Sequence, residues 1–485
     1  MRDDSELKLI GKSLPGDLKF IVETLERAGH KAYLVGGAVR DLAHASIHST
    51  GHIPEMDFDF ATDAPPEKVI SVFSALRVFT IPTGLQHGTV TVVLHDTNYE
   101  ITTYRIDGEY LDGRHPGSIR FSSSIDEDLS RRDFTVNAIA YDVLTGEFHD
   151  PFGGMDDIAV KIIRTVGEPG ARFSEDGLRL MRACRIAAYM EYEIEDHTLN
   201  AIGECREMIK KVSPERIQEE LLKLMKAKNP SVGIEYFRET GLLPLILPEL
   251  AEGVEIDQNE YHLYDVYRHN IYACDAAPLD KPLLRLAALF HDVGKPRSKD
   301  YARRIGNGNV FYNHEVIGAK MAHGILRRLR FSNHAMTYIT DMIKNHMFYY
   351  TEEWTDGAVR RFLRKIDGDP ELLRDLFALR KADRTASGVR KGDATILEKF
   401  RRRIEEIMEK DNALKVTDLK IDGNTIMERF ALKPGRIIGE MLNYMLEKVL
   451  DSPELNTPEG LIKIGEEFLH NPKPVPPGED VEILI

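Results

Sequence analysis

The β-type runs of this chain gather early, and that distribution restricts the fold more than any other feature. Ala32-Tyr33-Leu34-Val35, Phe58-Asp59-Phe60, Thr89-Val90-Thr91-Val92-Val93-Leu94 and Tyr99-Glu100-Ile101-Thr102-Thr103-Tyr104 alternate or cluster β-branched and aromatic residues, as strands do. Helical spacing runs through 17–29, closed by Gly29, and through 66–76. From about residue 175 onward the apolar period is helical almost throughout. Strands first and helices afterwards predict an α+β head with a mixed sheet, then an all-α remainder. At 485 residues a single core is not expected, and three or so units are. Breaks are expected near Pro151-Phe152-Gly153-Gly154, at Pro244 to Pro248 and around Gly388 to Gly392, with an extended Pro-rich end at 471–478. No internal repeat is visible.

Composition excludes several classes. No apolar run approaches the roughly 20 residues that cross a bilayer. Met1-Arg2-Asp3-Asp4-Ser5 carries early acids and no apolar h-region, so no secretory signal is expected and the cytoplasm is the default address. The cysteines, Cys184, Cys205 and Cys274, form no CxxC pair, and Cys184 sits in an apolar helical pattern as a buried thiol would. A net charge of −15 argues mildly against a polyanion partner. Local basic clusters decide nucleic-acid affinity, however, and Arg327-Arg328-Leu329-Arg330, Arg360-Arg361 with Arg364-Lys365, and Arg401-Arg402-Arg403 are available. Each is as readily a solvated helix face.

Two head motifs carry chemistry. Leu34-Val35-Gly36-Gly37-Ala38-Val39-Arg40-Asp41 leads a strand through a glycine pair into a helix, whose free N–H groups suit a phosphate. Met56-Asp57-Phe58-Asp59-Phe60 places acids at i and i+2 of a strand, on one side. Such a pair repels itself without a cation, and hard oxygen ligands suit Mg²⁺ bridging a triphosphate. Glu100 is the available third acid on a neighbouring strand, or merely a surface residue.

Further on, Asp128-Leu129-Ser130-Arg131-Arg132-Asp133 offers Arg132 as an anion clamp, or only surface ion pairing. In Ser174-Glu175-Asp176-Gly177-Leu178-Arg179-Leu180-Met181-Arg182, helical spacing puts Asp176, Arg179 and Arg182 on one face, opposite Leu180, Ala183 and Ala187. Asp176 offers acceptors and Arg179 donors. Cytosine and adenine both display an amine beside a ring-nitrogen acceptor, whereas uracil and guanine reverse that order. One Asp/Arg pair would therefore admit C and A, because the wrong base leaves buried polar groups unpaired at roughly 1–3 kcal/mol each. Ordinary i, i+3 ion pairing is the plainer reading.

Over roughly residues 15–250 these motifs together resemble class II CCA-adding tRNA nucleotidyltransferases, of the polymerase-β superfamily. His87-Gly88-Thr89-Val90, Asp150-Pro151-Phe152-Gly153-Gly154 and Ile163-Arg164-Thr165-Val166-Gly167 add to the match. The resemblance implies Mg²⁺ on Asp57 and Asp59. It implies contact of Gly37, Arg40, Arg132, Asp176, Arg179, Arg182 and Arg185 with incoming CTP or ATP, and attack of an RNA 3′-hydroxyl on the α-phosphate. Related enzymes add CCA, CC, A or poly(A). The intact loop Tyr104 to Pro116 counts against CC alone, and the acidic Pro-rich end counts against poly(A). Addition of A alone stays open.

The middle of the chain carries His269, then His291-Asp292 at the end of an apolar helix, and Asp383 later. Imidazole and carboxylate together suit a divalent transition metal. Residues 260–390 resemble HD metal-dependent phosphohydrolases, with His314 and His346 as possible extra ligands of two-metal members; a phosphatase or 2′,3′-cyclic phosphodiesterase activity would follow. Val416 to Thr425 and Lys433 to Gly439 resemble the tRNA-holding end of the first family; by themselves they read as an Asn-capped helix and a turn. The expected division is a nucleotidyltransferase head at 1–155, a base-reading neck and body at 156–255, an HD module at 256–392 and a tRNA-binding tail at 393–485. Partners would be tRNA, CTP and ATP, with no membrane. The rivals are an HD phosphohydrolase with an inactive head and a non-enzymatic RNA-binding protein.

Overall fold

The computed structural model describes residues 14–49, 57–108, 118–258, 262–304, 311–366, 368–389, 394–410 and 415–470. Met56, the loop residues 109–116, part of 388–392 and the end at 471–478, all singled out above, lie outside the described residues in whole or part. Among the described residues no helix is long and apolar enough to cross a membrane.

The head is built on a sheet of β1 (Ala32–Val35), β2 (Asp59–Thr62), β3 (Phe79–Gly84), β4 (Thr89–Leu94) and β5 (Thr97–Thr103), with two short later strands. A separate hairpin pairs β6 (Arg105–Asp107) with β7 (Ile119–Phe121), and the sheet continues through β8 (Ala140–Tyr141) and β9 (Phe148–His149). Its order is β3-β4-β5-β2-β1-β8-β9, and β2 with β5 is the parallel pair in an otherwise antiparallel sheet. Leu18, Ile21, Val22 and Leu25 of helix Gly16–Arg27 recur every three or four residues and are buried, the stripe that a helix needs to lie on a core. In β2, Asp59 is exposed while Phe60, Ala61 and Thr62 are buried, so the strand's first residue reaches solvent.

Past residue 164 helices dominate, and the described strand there is the two-residue Glu193–Ile194. An α+β head with a mixed sheet and a helical remainder is therefore what the chain forms. Contacts divide it into two compact units, the first comprising 1–254 with 279–282 and 324–333, the second 255–278, 283–323 and 334–485. In the second unit the tail helices Gly423–Phe430, Arg436–Asp451 and Pro458–His470 enclose Ile426, Met441, Met445, Leu446 and Leu461. The first of these helices is capped by Asp422, whose carboxylate accepts from the Thr425 amide at 2.8 Å, and not by an asparagine as expected. Asp422 occupies the position that precedes the helix, where its carboxylate meets the free first-turn amides, whereas Asn424 is already the helix's second residue.

The basic clusters are largely engaged within the chain. Arg328 binds Glu249 and the Ile246 carbonyl. Arg361 pairs with Glu447 and Asp451, Arg364 with Glu447, and Arg403 with Asp356. Cys184 is fully buried, and loss of hydration pushes its thiol pKa up.

Candidate functional site

The head site forms where β1 ends. Gly36 has φ +80°, a conformation that a Cβ makes unfavourable, and it turns the chain into helix Gly37–His48. A Cβ built on Gly36 would stand 3.5 Å from Asp59 Oδ2 and 3.7 Å from Arg132 Nη1, which fixes how closely turn, acid and guanidinium converge. Asp59 lies opposite Glu100 in the parallel β2/β5 register, so neighbouring strands bring two carboxylates to the same end of the sheet. Asp57 is exposed and stands two residues ahead of β2, outside the strand that was expected to contain it. Its charge is nonetheless felt at Asp59. Although Asp59 reaches solvent, the protein packed around its carboxyl weakens its hydration; Glu100 and Asp57 repel its charge, and together these outweigh Arg132 to push its pKa up to about 6. A crowded set of hard oxygen donors that disfavours its own ionisation fits a divalent cation.

Arg132 is held by Asp128, at 3.2 Å, and its Nε is buried without a hydrogen-bond partner among the described residues. Leaving such a donor unpaired costs on the order of 1–3 kcal/mol, which an anionic ligand would recover. Arg40 is buried, donating to Asn137 Oδ1 at 3.2 Å and to Asp41 at 2.8 Å. Arg131 binds the same Asp128 at 2.7 Å and, with Asp107, Arg172 and Glu175, lines a cleft of about 580 Å³ that does not include Asp57 or Asp59.

The neck differs from the single helix face read from spacing. Helix Pro169–Glu175 ends, Asp176 is extended at φ −145° and ψ 109°, and a new helix runs over Leu178–Met190. At the break Asp176 accepts from the Leu178 amide and starts the new helix, and Gly177 lets the chain pass where a Cβ would fall 2.4 Å from the Met208 carbonyl oxygen. The side chains of Asp176 and Arg179 consequently go to different partners. Asp176 is gripped by both arms of Arg216, Nη1 to Oδ1 at 3.0 Å and Nη2 to Oδ2 at 2.6 Å, and it caps the Leu178 amide at 3.0 Å. Arg179 binds Glu175 and donates to the carbonyls of Arg172 and Arg131, each at 3.1 Å.

Arg182 donates to Asp133 at 2.8 Å, and Arg185 to Glu220 at 2.5 Å. Burial works against the Asp133 charge, but Arg182, the Asn137 amide and Arg179 hold its carboxyl well below the usual range. Arg216 and Glu220 share helix Pro214–Leu224 and were not singled out from the sequence. The available signal was Glu220 itself, a carboxylate on the apolar stripe beside Ile217, Leu221 and Leu224, now 2% exposed.

In the second unit His269, His291, Asp292 and Asp383 converge. His269 Nε2 lies 3.1 Å from His291 Nε2, 3.2 Å from Asp292 Oδ2 and 3.2 Å from Asp383 Oδ1. His291 and His269 are fully buried, Asp292 2% exposed. Helices Val266–Ala276, Pro282–Phe290 and Pro370–Ala386 supply or adjoin these groups. Ligands on first-row metal bonds of roughly 2.0–2.1 Å stand about 2.9–3.4 Å apart, so the spacing and donor types fit a divalent ion. His314 and His346 approach Asp292 from its other oxygen, at 3.2 and 3.7 Å. His262, not singled out as a ligand, has a ring nitrogen in one group with His269 and Asp383. Asp292, Lys295, Phe311, His346 and Arg380 line a cavity of about 230 Å³ at this cluster.

A strand-borne acid pair beside a glycine turn and an arginine clamp, together with an HD cluster, marks a polymerase-type nucleotidyltransferase head joined to an HD domain. Residues 32–164 match the family described as "Poly A polymerase head domain", 191–253 "Probable RNA and SrmB- binding site of polymerase A", and 259–388 "HD domain". The CCA-adding enzyme of Oceanobacillus iheyensis is 32% identical over 432 residues, 88% of this chain and 90% of that one. This chain belongs to the class II CCA-adding enzyme family. The CCA-adding enzyme of Ligilactobacillus salivarius is 41% identical over 251 residues, half of this chain, and the match spans 59% of that relative's length. The Bacillus stearothermophilus CCA-adding enzyme solved in complex with CTP has the same fold, with a TM-score of 0.68 at 28% identity, covering 93% of this chain and 96% of that one.

Proposed function

We propose that this protein adds CCA to the 3′ end of tRNA from CTP and ATP, without a nucleic-acid template and with release of pyrophosphate. The observation that carries the proposal is the convergence of Asp59, Glu100, the Gly36 turn and Arg132 on one end of the head sheet, in a chain of this family. Asp57 and Asp59 would hold Mg²⁺, which when bound supplies charge neutralisation to the triphosphate and to the attacking 3′-hydroxyl. Gly37, at the start of its helix, presents backbone N–H groups to phosphate. Arg132 offers its unpartnered Nε to the same anion, and Arg40, buried nearby in sequence order, adds a fixed positive charge. Asp176 accepts from the exocyclic amine shared by cytosine and adenine, and Arg179 donates to the adjoining ring nitrogen. Arg182 and Arg185, held by Asp133 and Glu220, keep the reading surface rigid.

Incubation with tRNA lacking its CCA end, Mg²⁺ and labelled CTP or ATP tests this. Label uptake abolished in Asp57→Ala and spared in His291→Ala is the expected outcome. Absence of uptake in the unaltered protein, with phosphate release intact, would identify a hydrolase with an inactive head instead.

The buried His/Asp cluster favours a second activity. His269, His291, Asp292 and Asp383 would hold a divalent ion that supplies an activated water for phosphoester hydrolysis, and Lys295 and Arg380 line the cavity where a phosphoryl group would be neutralised. Release of phosphate from a ribonucleotide phosphomonoester or opening of a 2′,3′-cyclic phosphate, lost in His291→Ala, is the measurement.

A further inference from the structure

We infer, resting on the reading of the head as a nucleotidyltransferase, that the 3′ end of the acceptor RNA crosses the open face of the head sheet. The ring of Phe79 stacks there on one of its last few bases, beside Ile81. Both residues stand on the edge strand β3, on the face that carries Asp59 and Glu100.

Strand register sets the path. Ile81 lies opposite Thr91, Thr91 opposite Glu100, and Glu100 opposite Asp59, so one row of side chains crosses β3, β4, β5 and β2 on a single face. Phe79, two residues before Ile81, shares that face. The other face is closed: Val90, Val92, Tyr99 and Ile101 are buried there, and helix Pro66–Ala75 packs on β3, β4 and β5. On the β1 side of Asp59 stand the Gly36 turn and Arg132, which take the triphosphate. A nucleophile in line with the departing pyrophosphate enters from the opposite side, over Glu100, Thr91 and Ile81. At about 4.8 Å per strand, Ile81 is roughly 14 Å from Asp59. Bases stacked about 3.4 Å apart cover that distance in roughly four nucleotides.

This edge suits a stacking ligand better than another strand. Phe79 is 68% exposed and Ile81 37%. Val78 to Gly84 contain no charged residue, and Pro82 gives the edge no N–H to pair with an added strand. Outward from Glu100 the face is neutral, with Thr91 and Ile81 in one row and Asn98, Val93 and Phe79 in the next, so no carboxylate in these rows repels a phosphate backbone. An exposed aromatic ring stacks on any base, which fits an end whose sequence changes with every nucleotide added.

Photocrosslinking reads the contact without turnover. The full chain, without CTP or ATP, is mixed with tRNA transcripts that end before the CCA, after its first C or after its second. Each carries a 5-iodopyrimidine at one of its last four positions. A crosslink to the peptide containing Phe79 from at least one position, lost in Phe79→Ala, is expected. Crosslinks that fall only elsewhere on the chain overturn the inference. In steady-state addition, Phe79→Ala should raise KM for the tRNA about 5- to 150-fold and leave KM for CTP unchanged. Phe79→Trp should restore the parent value and Phe79→Leu should not. An unchanged KM for tRNA in Phe79→Ala, or equal loss in the Trp and Ala variants, contradicts stacking. An unaltered protein that crosslinks through Phe79 yet adds no nucleotide would sink the transferase reading and support the RNA contact.

Discussion

Replacing Arg216 by lysine probes base selection through a residue that touches no nucleotide in the proposed reading. A carboxylate has about four acceptor positions. Three of those on Asp176 are taken, two by the Arg216 fork at 3.0 and 2.6 Å and one by the Leu178 amide at 3.0 Å. The fork fixes the carboxylate plane and leaves one acceptor position on Oδ2 for an exocyclic amine. Lysine keeps the charge but supplies a point donor, so one charge-assisted hydrogen bond is lost and the plane is free to turn. That bond corresponds to roughly 1.5–3 kcal/mol. At about 1.4 kcal/mol per tenfold, the ratio of kcat/KM for CTP over UTP should fall about 10- to 150-fold. Single-turnover addition to tRNA lacking its end, with each nucleotide in turn, reads the ratio directly. The reasoning is refuted if Arg216→Lys leaves the ratio unchanged while Asp176→Ala alters it, or if both nucleotides are slowed equally.

Three further outcomes follow from the same geometry. Asp57→Ala or Asp59→Ala should each slow nucleotide addition by on the order of a thousandfold, since several kcal/mol of metal-borne charge stabilisation are removed, with CTP binding measured by calorimetry much less affected. Gly36→Ala forces a Cβ into φ +80°, 3.5 Å from Asp59 Oδ2, and should cost about 1–3 kcal/mol, seen as a lower Tm together with a lower kcat. Asp133, with its folded pKa depressed, contributes stability that is present above the unfolded value of about 3.9 and is lost as pH falls below it. Urea midpoints taken between pH 5 and 2 should therefore drop less steeply below about pH 4 in Asp133→Asn than in the parent, and equal slopes there would contradict the assignment.

Local chemistry was readable from the sequence, and long-range partnership was not. The β-branched runs at 89–94 and 99–104 became strands and the Gly36 turn formed as expected because each is a short-range pattern, whereas Asp57 falls two residues ahead of the strand expected to hold it. Periodicity runs smoothly through 174–187, whereas in the fold the helix breaks at Asp176, whose carboxylate caps the Leu178 amide and is held by Arg216. Arg216 lies 40 residues beyond Asp176, so no spacing rule links them. In the HD region the donor types were visible, but that His314 and His346 turn toward Asp292 shows only in the fold. The arginine clusters illustrate the opposite case, in which a suggestive composition resolves into ion pairs such as Arg361 with Glu447.

Sequencing the 3′ ends of a tRNA pool that begins without CCA, after incubation with the protein, Mg²⁺, CTP and ATP, confronts the account with its product. Ends extended by C, C and A in that order, and then no further, are predicted. Unextended ends, a lone added A, or runs of adenylate would each contradict it.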